Sequence, residues 1–273
     1  MKNYIIVNGK ASYEIPGLTI CALPPITKPP KKIETLSVPG ADGDIVTSIG
    51  GYEAYERKFS VAVNKIIGDI DEIIPYLEQG GAWVFSNESD KIYDVRQTSR
   101  IDFANLTRYR KADVVVTVQP IKRSALPAVT YSEFNWGGLN NSMRIVNAGN
   151  TTSRPSYAFQ FSTVAGDVVF RTNGYKITFA VTGRVPAGDL PLDSMTITLD
   201  TLTGNALGTL VSNGVTIRTG YLTDLVDVVD SDGATVDITS LRLPVGESYL
   251  TFVPGESYGT VDSVTVTDAS SYI

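Results

Sequence analysis

Gly255-Glu256-Ser257-Tyr258-Gly259 has the G-x-S-x-G spacing of a nucleophile elbow, in which a strained turn raises a serine toward a general base. That chemistry needs a group to take the serine proton, and the chain contains no histidine. The residues that follow, VDSVTVTD, also read as a strand where the elbow requires a helix. Two loops look like calcium sites, VPGADGDI and VVDSDGATVDIT. A helix-loop-helix calcium loop needs carboxylates at positions 1, 3 and 5, Gly at 6 and Glu at 12. With Gly43 at position 6, positions 1, 3 and 12 are Val38, Gly40 and Ile49; with Gly233 there, Val228 and Thr239 take the two ends. Neither loop fits, and for Asp227, Asp230 and Asp232 a solvated acidic turn is a simpler reading than a weak loop site. Phosphate loops of the G-x-x-x-x-G-K or G-x-G-x-x-G type are absent. Two acids across a groove suffice for glycoside hydrolysis, and Asp189, Asp193, Asp200 and Asp224 are available, but they sit in turn-like contexts where solvation explains them. Cys21, in LTICAL, reads as a small buried hydrophobe. Tyr131, Phe134 and Trp136 cluster in TYSEFNWGG and offer rings for a sugar face, with core packing as the plainer explanation. No cofactor, metal or catalytic group is expected.

With histidine goes the commonest general base and transition-metal ligand, so the residues favour a non-enzymatic role. At 42% hydrophobic and 19% charged, the 273 residues are composed like a folded globular protein. No apolar run approaches the roughly eighteen residues of a spanning helix, so membrane insertion is not expected. Asn8-Gly9-Lys10 ends the apolar stretch after Met1 too early for a secretory leader, which points to synthesis and assembly in the cytoplasm. A single cysteine excludes an internal disulfide and a thiolate zinc cluster. Residues 1–125 hold 16 basic and 15 acidic side chains, a balance of +1, whereas 126–273 hold 7 and 14, a balance of −7. The acidic half repels polyanions, so tight nucleic-acid binding is not expected.

The elements that would position any site are strands. FSVAV and TITL alternate with a period of two, and turn signals such as Ser212-Asn213-Gly214 and Asp232-Gly233 recur between runs rich in Val, Ile, Thr and Tyr. The pattern predicts antiparallel sandwiches. GDIDEIIPYLEQGG predicts one short helix, with Ile70, Ile73, Ile74 and Leu77 on one face, Asp69 and Glu72 as a capping box, and Gly80-Gly81 as the stop. Pro75 requires the helix to be short or the proline to lie in its first turn. Two prolines and a change of charge sign near QPIKRSALPAV place a boundary that gives domains 1–122 and 123–273. PPITKPPKK is a stiff connector, and IETLSV and DIVTSIGGY can pair as hairpin arms around Pro39-Gly40, a type II turn, and Gly43.

These residues together resemble the distal tail proteins of long-tailed, non-contractile bacteriophages. The likeness lies in Val38-Pro39-Gly40-Ala41-Asp42-Gly43-Asp44-Ile45 followed by Gly51-Tyr52-Glu53, in WVFSNESDKIYDV, in VNAGNTTSRPSYAFQF with Asn147, Gly149, Asn150 and Pro155, and in LPVGESYLTF. It covers most of the chain. Ala41 stands where many relatives have Arg, which removes a charge from that position. The resemblance implies a mainly β protein: a β-sandwich first domain with a long hairpin arm, and a galectin-like, jelly-roll second domain. It further implies a hexameric ring in the tail tip or baseplate of a virion. There the arm, with Val38, Pro39, Gly40, Asp42, Gly43, Asp44, Gly51 and Tyr52, meets a neighbouring subunit. The implied partners are the major tail tube protein, the tail-associated protein and tape measure, and receptor-binding or upper baseplate proteins. Glu53, Glu56, Arg57 and Lys58 then read as mixed-sign subunit contacts. Residues 123–273 leave no room for a sizeable inserted sugar-binding module. A carbohydrate-binding sandwich contacting the host surface is the alternative function.

Overall fold

The computed structural model describes residues 2–37, 44–125, 127–132 and 141–273, with backbone alone at 37, 44–50 and 255. It is mainly β, built from several antiparallel sheets, and divides into two compact units, Met1–Ala125 and Leu126–Tyr272.

In the first unit the long strands Tyr55–Asn64 and Tyr109–Val118 pair antiparallel over their whole length, from Tyr55 opposite Val118 to Asn64 opposite Tyr109. Their alternation sends Phe59, Val61 and Val63, and Ala112, Val114, Val116 and Val118, to one buried face. Leu18–Ala22 flanks this pair on one side; Lys91–Thr98, Gly81–Phe85 and Ile5–Val7 continue the sheet on the other. The helix Ile70–Glu78 lies over it and buries Ile73, Tyr76 and Leu77. Asp69 caps the helix by accepting the Asp71 N–H at 2.9 Å, while Glu72 pairs with Lys10 at 3.8 Å instead of closing a capping box. Pro75 falls beyond the first turn, and the helix tolerates it because nine residues leave few bonds to break. Trp83 donates to the Gln79 carbonyl at 2.9 Å, tying the strand after the helix to the helix end. Phe59, Trp83, Phe85 and Tyr93 meet edge-on or tilted in the core, with Phe85 and Tyr93 centroids 5.2 Å apart.

Cys21 is exposed, contrary to the expectation of burial. The alternation of its strand turns Leu18 and Ile20 inward, and Cys21 therefore outward.

The second unit is a sandwich of two six-stranded sheets. One runs Val129–Tyr131, Gly259–Thr267, Ser156–Val164, Leu192–Asp200, Asn205–Ser212, Val215–Tyr221. The other runs Ser142–Asn147, Gly246–Phe252, Val168–Thr172, Tyr175–Phe179, Val226–Val229, Thr235–Val236. Phe159 and Phe161 from the first sheet interlock with Phe170 and Phe179 from the second, the closest centroids being 4.8 and 4.9 Å apart. Each such ring, 0–1% exposed, contributes about 1.5–3 kcal/mol by leaving water.

Candidate functional site

The strands Lys31–Ser37 and Asp44–Tyr52 pair only with each other, from Ser37 opposite Asp44 to Lys31 opposite Tyr52, with a register shift between Lys31 and Ile33. This is the predicted hairpin, and among the described residues it joins no other sheet. Among the described residues no further strand lies along either outer edge, and Ile33 and Leu36 are 56% and 61% exposed. An isolated two-stranded ribbon is marginal in water, and open edges are templates for another chain. The tip residues Val38, Pro39, Gly40, Asp42 and Gly43 lie outside the described residues, so the type II turn expected there does too; Asp44 is described by its backbone, as the first residue of the second strand. Gly51 has a φ of +78°, a conformation open to glycine at little cost, near the base of the arm. There the Glu53 N–H donates to the Pro30 carbonyl at 2.9 Å, and the Lys28 ammonium lies 5.6 Å from the Tyr52 ring centre.

The connector that feeds the arm is anchored by a buried ionic cluster. Arg57 donates through Nη2 to the carbonyls of Pro25 (2.8 Å) and Pro24 (3.4 Å), and through Nη1 to Glu88 Oε2 (3.1 Å). Asn87 adds a second bond to the Pro24 carbonyl at 2.9 Å. Glu88 also accepts from the Tyr93 hydroxyl, from Lys122 at 3.3 Å and from Lys91 at 3.3 Å. The side chains of Arg57, Glu88 and Lys122 are at most 4% exposed. Burial alone would push the Glu88 carboxyl up, but the Tyr93 hydrogen bond and the Lys122 and Arg57 charges outweigh it and bring the pKa down to about 2. Desolvation lowers the Lys122 pKa against the pull of Glu88, and it raises that of Tyr93, with the Glu88 hydrogen bond acting in the same direction.

One carboxylate faces two fully buried cations here, so the guanidinium needs further acceptors. Proline carbonyls supply them: a polyproline-like run makes no ladder of its own and leaves its C=O groups free. The cluster thus fixes where the connector leaves the sheet. Arg57 is consequently no surface contact, as its place beside Glu56 and Lys58 implied. It lies in register with Phe59, Val61 and Val63 on the inward face, and that period-two relation was the signal in the sequence.

In the second unit, Asn147, Gly149, Asn150 and Pro155 form a clasp. Asn147, 1% exposed, donates to the carbonyls of Thr151 (2.9 Å) and Leu243 (3.1 Å) and accepts from the N–H groups of Gly149 (3.0 Å) and Ser271 (3.4 Å). The Asn150 N–H donates to the Ser271 carbonyl at 3.1 Å, and Pro155 O accepts from the Thr201 hydroxyl at 2.7 Å. A Cβ on Gly149 would lie 1.7 Å from Ser271 O, so only glycine fits. Asn147 and Asn150 hold the segment before the strand Ser156–Val164 against Ser271, and Pro155 ties it to Thr201.

Among the other candidates, Tyr131 is half-buried against the sandwich core, and Phe134 and Trp136 lie outside the described residues. Ser257 of the apparent elbow is 6% exposed; its hydroxyl donates to the Val253 carbonyl (2.7 Å) and accepts from the Val169 N–H (3.0 Å), so it is a structural brace. Asp230 accepts the N–H groups of Asp232 and Ala234, as an acidic turn does, and Asp227 is paired with Arg184 at 2.5 Å.

No protein-family model matches the chain, and no curated protein does. Among solved structures, the chain is similar to the SPP1 Dit (gp 19.1) protein over 100% of both chains, with a TM-score of 0.63 and 13% identity. The fold is that of a phage distal tail protein. Weaker likenesses are to a structure of the phage P2 baseplate in its activated conformation with Ca (TM-score 0.48, 6% identity, 100% of this chain and 98% of that one) and to β-fructofuranosidase from Schwanniomyces occidentalis complexed with fructosyl-erythritol (0.23, 9%, 87% and 59%). Neither carries an argument. In the SPP1 structure the protein is described as a paradigm of the hub adsorption apparatus of phages that infect Gram-positive hosts.

Proposed function

We propose that this chain is a structural hub of a phage tail tip, a virion component that closes a ring of six copies through its first unit. The observation that carries the reading is the arm: two strands bonded only to each other among the described residues, with Ile33 and Leu36 open to solvent. A neighbouring copy that receives the arm satisfies its edges and covers both side chains. The buried Arg57–Glu88–Lys122 cluster serves the same end by fixing the connector, so that every copy presents its arm from the same point. The full-length likeness to the SPP1 hub protein supports the role. In this reading the ring seats on the tail tube, the acidic second unit is a platform for receptor-binding or baseplate proteins, and the protein performs no catalysis.

Replacing both Ile33 and Leu36 by Asp tests the arm. The expected result is a folded monomer whose melting temperature stays within a few degrees of the parent and which no longer forms rings in negative-stain images. Intact rings from the double variant would overturn the proposal.

A further inference from the structure

The second unit carries a groove on one of its two sheets. It runs over the outer face of the sheet that contains Tyr175–Phe179 and Gly246–Phe252, as two adjoining depressions of about 460 and 480 Å³ that share Asn173 and Tyr175. Arg171, Lys176, Tyr249 and Thr251 line the first, and Arg242 lines the second. Strand register explains the grouping. Thr251 lies opposite Arg171 and Arg171 opposite Lys176, so three outward side chains form one row across three strands. Tyr249 stands two residues along from Thr251 on the same face, 50% exposed.

The charge here runs against that of its surroundings. Residues 126–273 hold seven basic side chains against fourteen acidic ones, yet three of the seven, Arg171, Lys176 and Arg242, face this groove. Arg171 and Lys176 share a single carboxylate, reaching Glu256 Oε1 at 2.8 Å and Oε2 at 2.5 Å. Arg242 is exposed and makes no ion pair among the described residues. Asp230 also lines the first depression and keeps its negative charge while accepting two backbone N–H groups, and Glu247, which accepts from the Tyr249 hydroxyl at 3.3 Å, is paired with Arg144. Arg171, Lys176 and Arg242 face Glu256 and Asp230, and Arg144 offsets Glu247, so one positive charge is left over beside the half-exposed Tyr249 ring.

We propose that this groove binds an acidic oligosaccharide. Tyr249 offers a flat apolar face for the C–H face of a sugar ring, and Asn173, Thr251 and Tyr175 offer hydroxyl partners along the floor. The guanidinium forks of Arg171 and Arg242 match the planar acid group of a uronate or the oxygens of a phosphate. A long polyanion is repelled by the rest of the unit, so recognition is confined to a short acidic stretch and weakens with salt. This site lies on the sheet that does not contain Tyr131.

The test uses the full chain and three probes of similar short length by titration calorimetry: an oligogalacturonate, a phosphorylated oligosaccharide, and a neutral dextran oligosaccharide. The expected result is binding of at least one acidic probe, none of dextran, and a loss of at least tenfold in Tyr249→Ala and in Arg242→Ala, each with an unchanged melting temperature. Whichever acidic probe binds identifies the acid group. Tyr221→Ala, exposed on the other sheet, is expected to bind as the parent does. The inference is overturned if neither acidic probe binds, if dextran binds as well as they do, or if both groove variants bind unchanged.

Discussion

Glu88 joins four side chains, Arg57, Lys91, Tyr93 and Lys122, beneath the connector. It is the one acid in a cluster with two buried cations, and its removal strands both. Glu88→Gln should cost about 3–5 kcal/mol, the range for breaking a buried ion pair by removing one partner. Acid should remove the same stabilisation from the parent. The Glu88 carboxyl has a folded pKa of about 2 against 4.5 for the free group, so its contribution is complete above 4.5 and lost as the pH falls toward 2. Melting temperatures of parent and Glu88→Gln, measured from pH 7 downward, should therefore differ most at neutral pH and converge near pH 2. A constant gap would contradict the cluster's role. In the second unit, Gly149→Ala places a methyl where Ser271 O already stands and should destabilise that unit by several kcal/mol, as overpacking with strain does. Thermal unfolding followed by calorimetry checks this.

At the scale of elements, the Arg57 anchor on the connector should govern the arm that follows it. Arg57→Met keeps the volume and the apolar stem but removes the donors to Pro24 and Pro25, so amide exchange should speed up from Ile26 through Tyr52 while the strands Tyr55–Asn64 and Tyr109–Val118 stay protected. Unchanged exchange across the arm would mean that the anchor is not what holds it. The elements themselves were largely legible beforehand. Period-two runs such as FSVAV placed strands, Asp69 marked the helix start, and the turn residues between IETLS and DIVTSIGGY marked a hairpin. What escaped was which side chains an alternating strand turns inward when they are polar. Arg57 reads as one charge in the series ERK, and Cys21 as one apolar residue in LTICAL, unless each is counted from Phe59 and from Ile20. Glu88 and Lys122 were less accessible still, because their partners are 31 and 34 residues away and no local pattern joins them. The groove escaped for the same reason: Arg171, Lys176, Arg242 and Tyr249 come from separate strands and turns, and sheet order alone makes them neighbours.

For the whole molecule, the proposed division of work between the two units follows their division of charge. The nearly neutral first unit holds the arm, and contacts between copies with matched signs need no net charge. In the proposed reading the acidic second unit repels long polyanions and offers one basic groove to a short acidic sugar. The central claim is that the arm makes this chain assemble, and the molar mass in solution tests it most directly. Light scattering after gel filtration, across a series of protein concentrations, should show a species of about 176 kDa, six times the 29.4 kDa chain. A mass of 29.4 kDa at every concentration, with the arm intact, would contradict it.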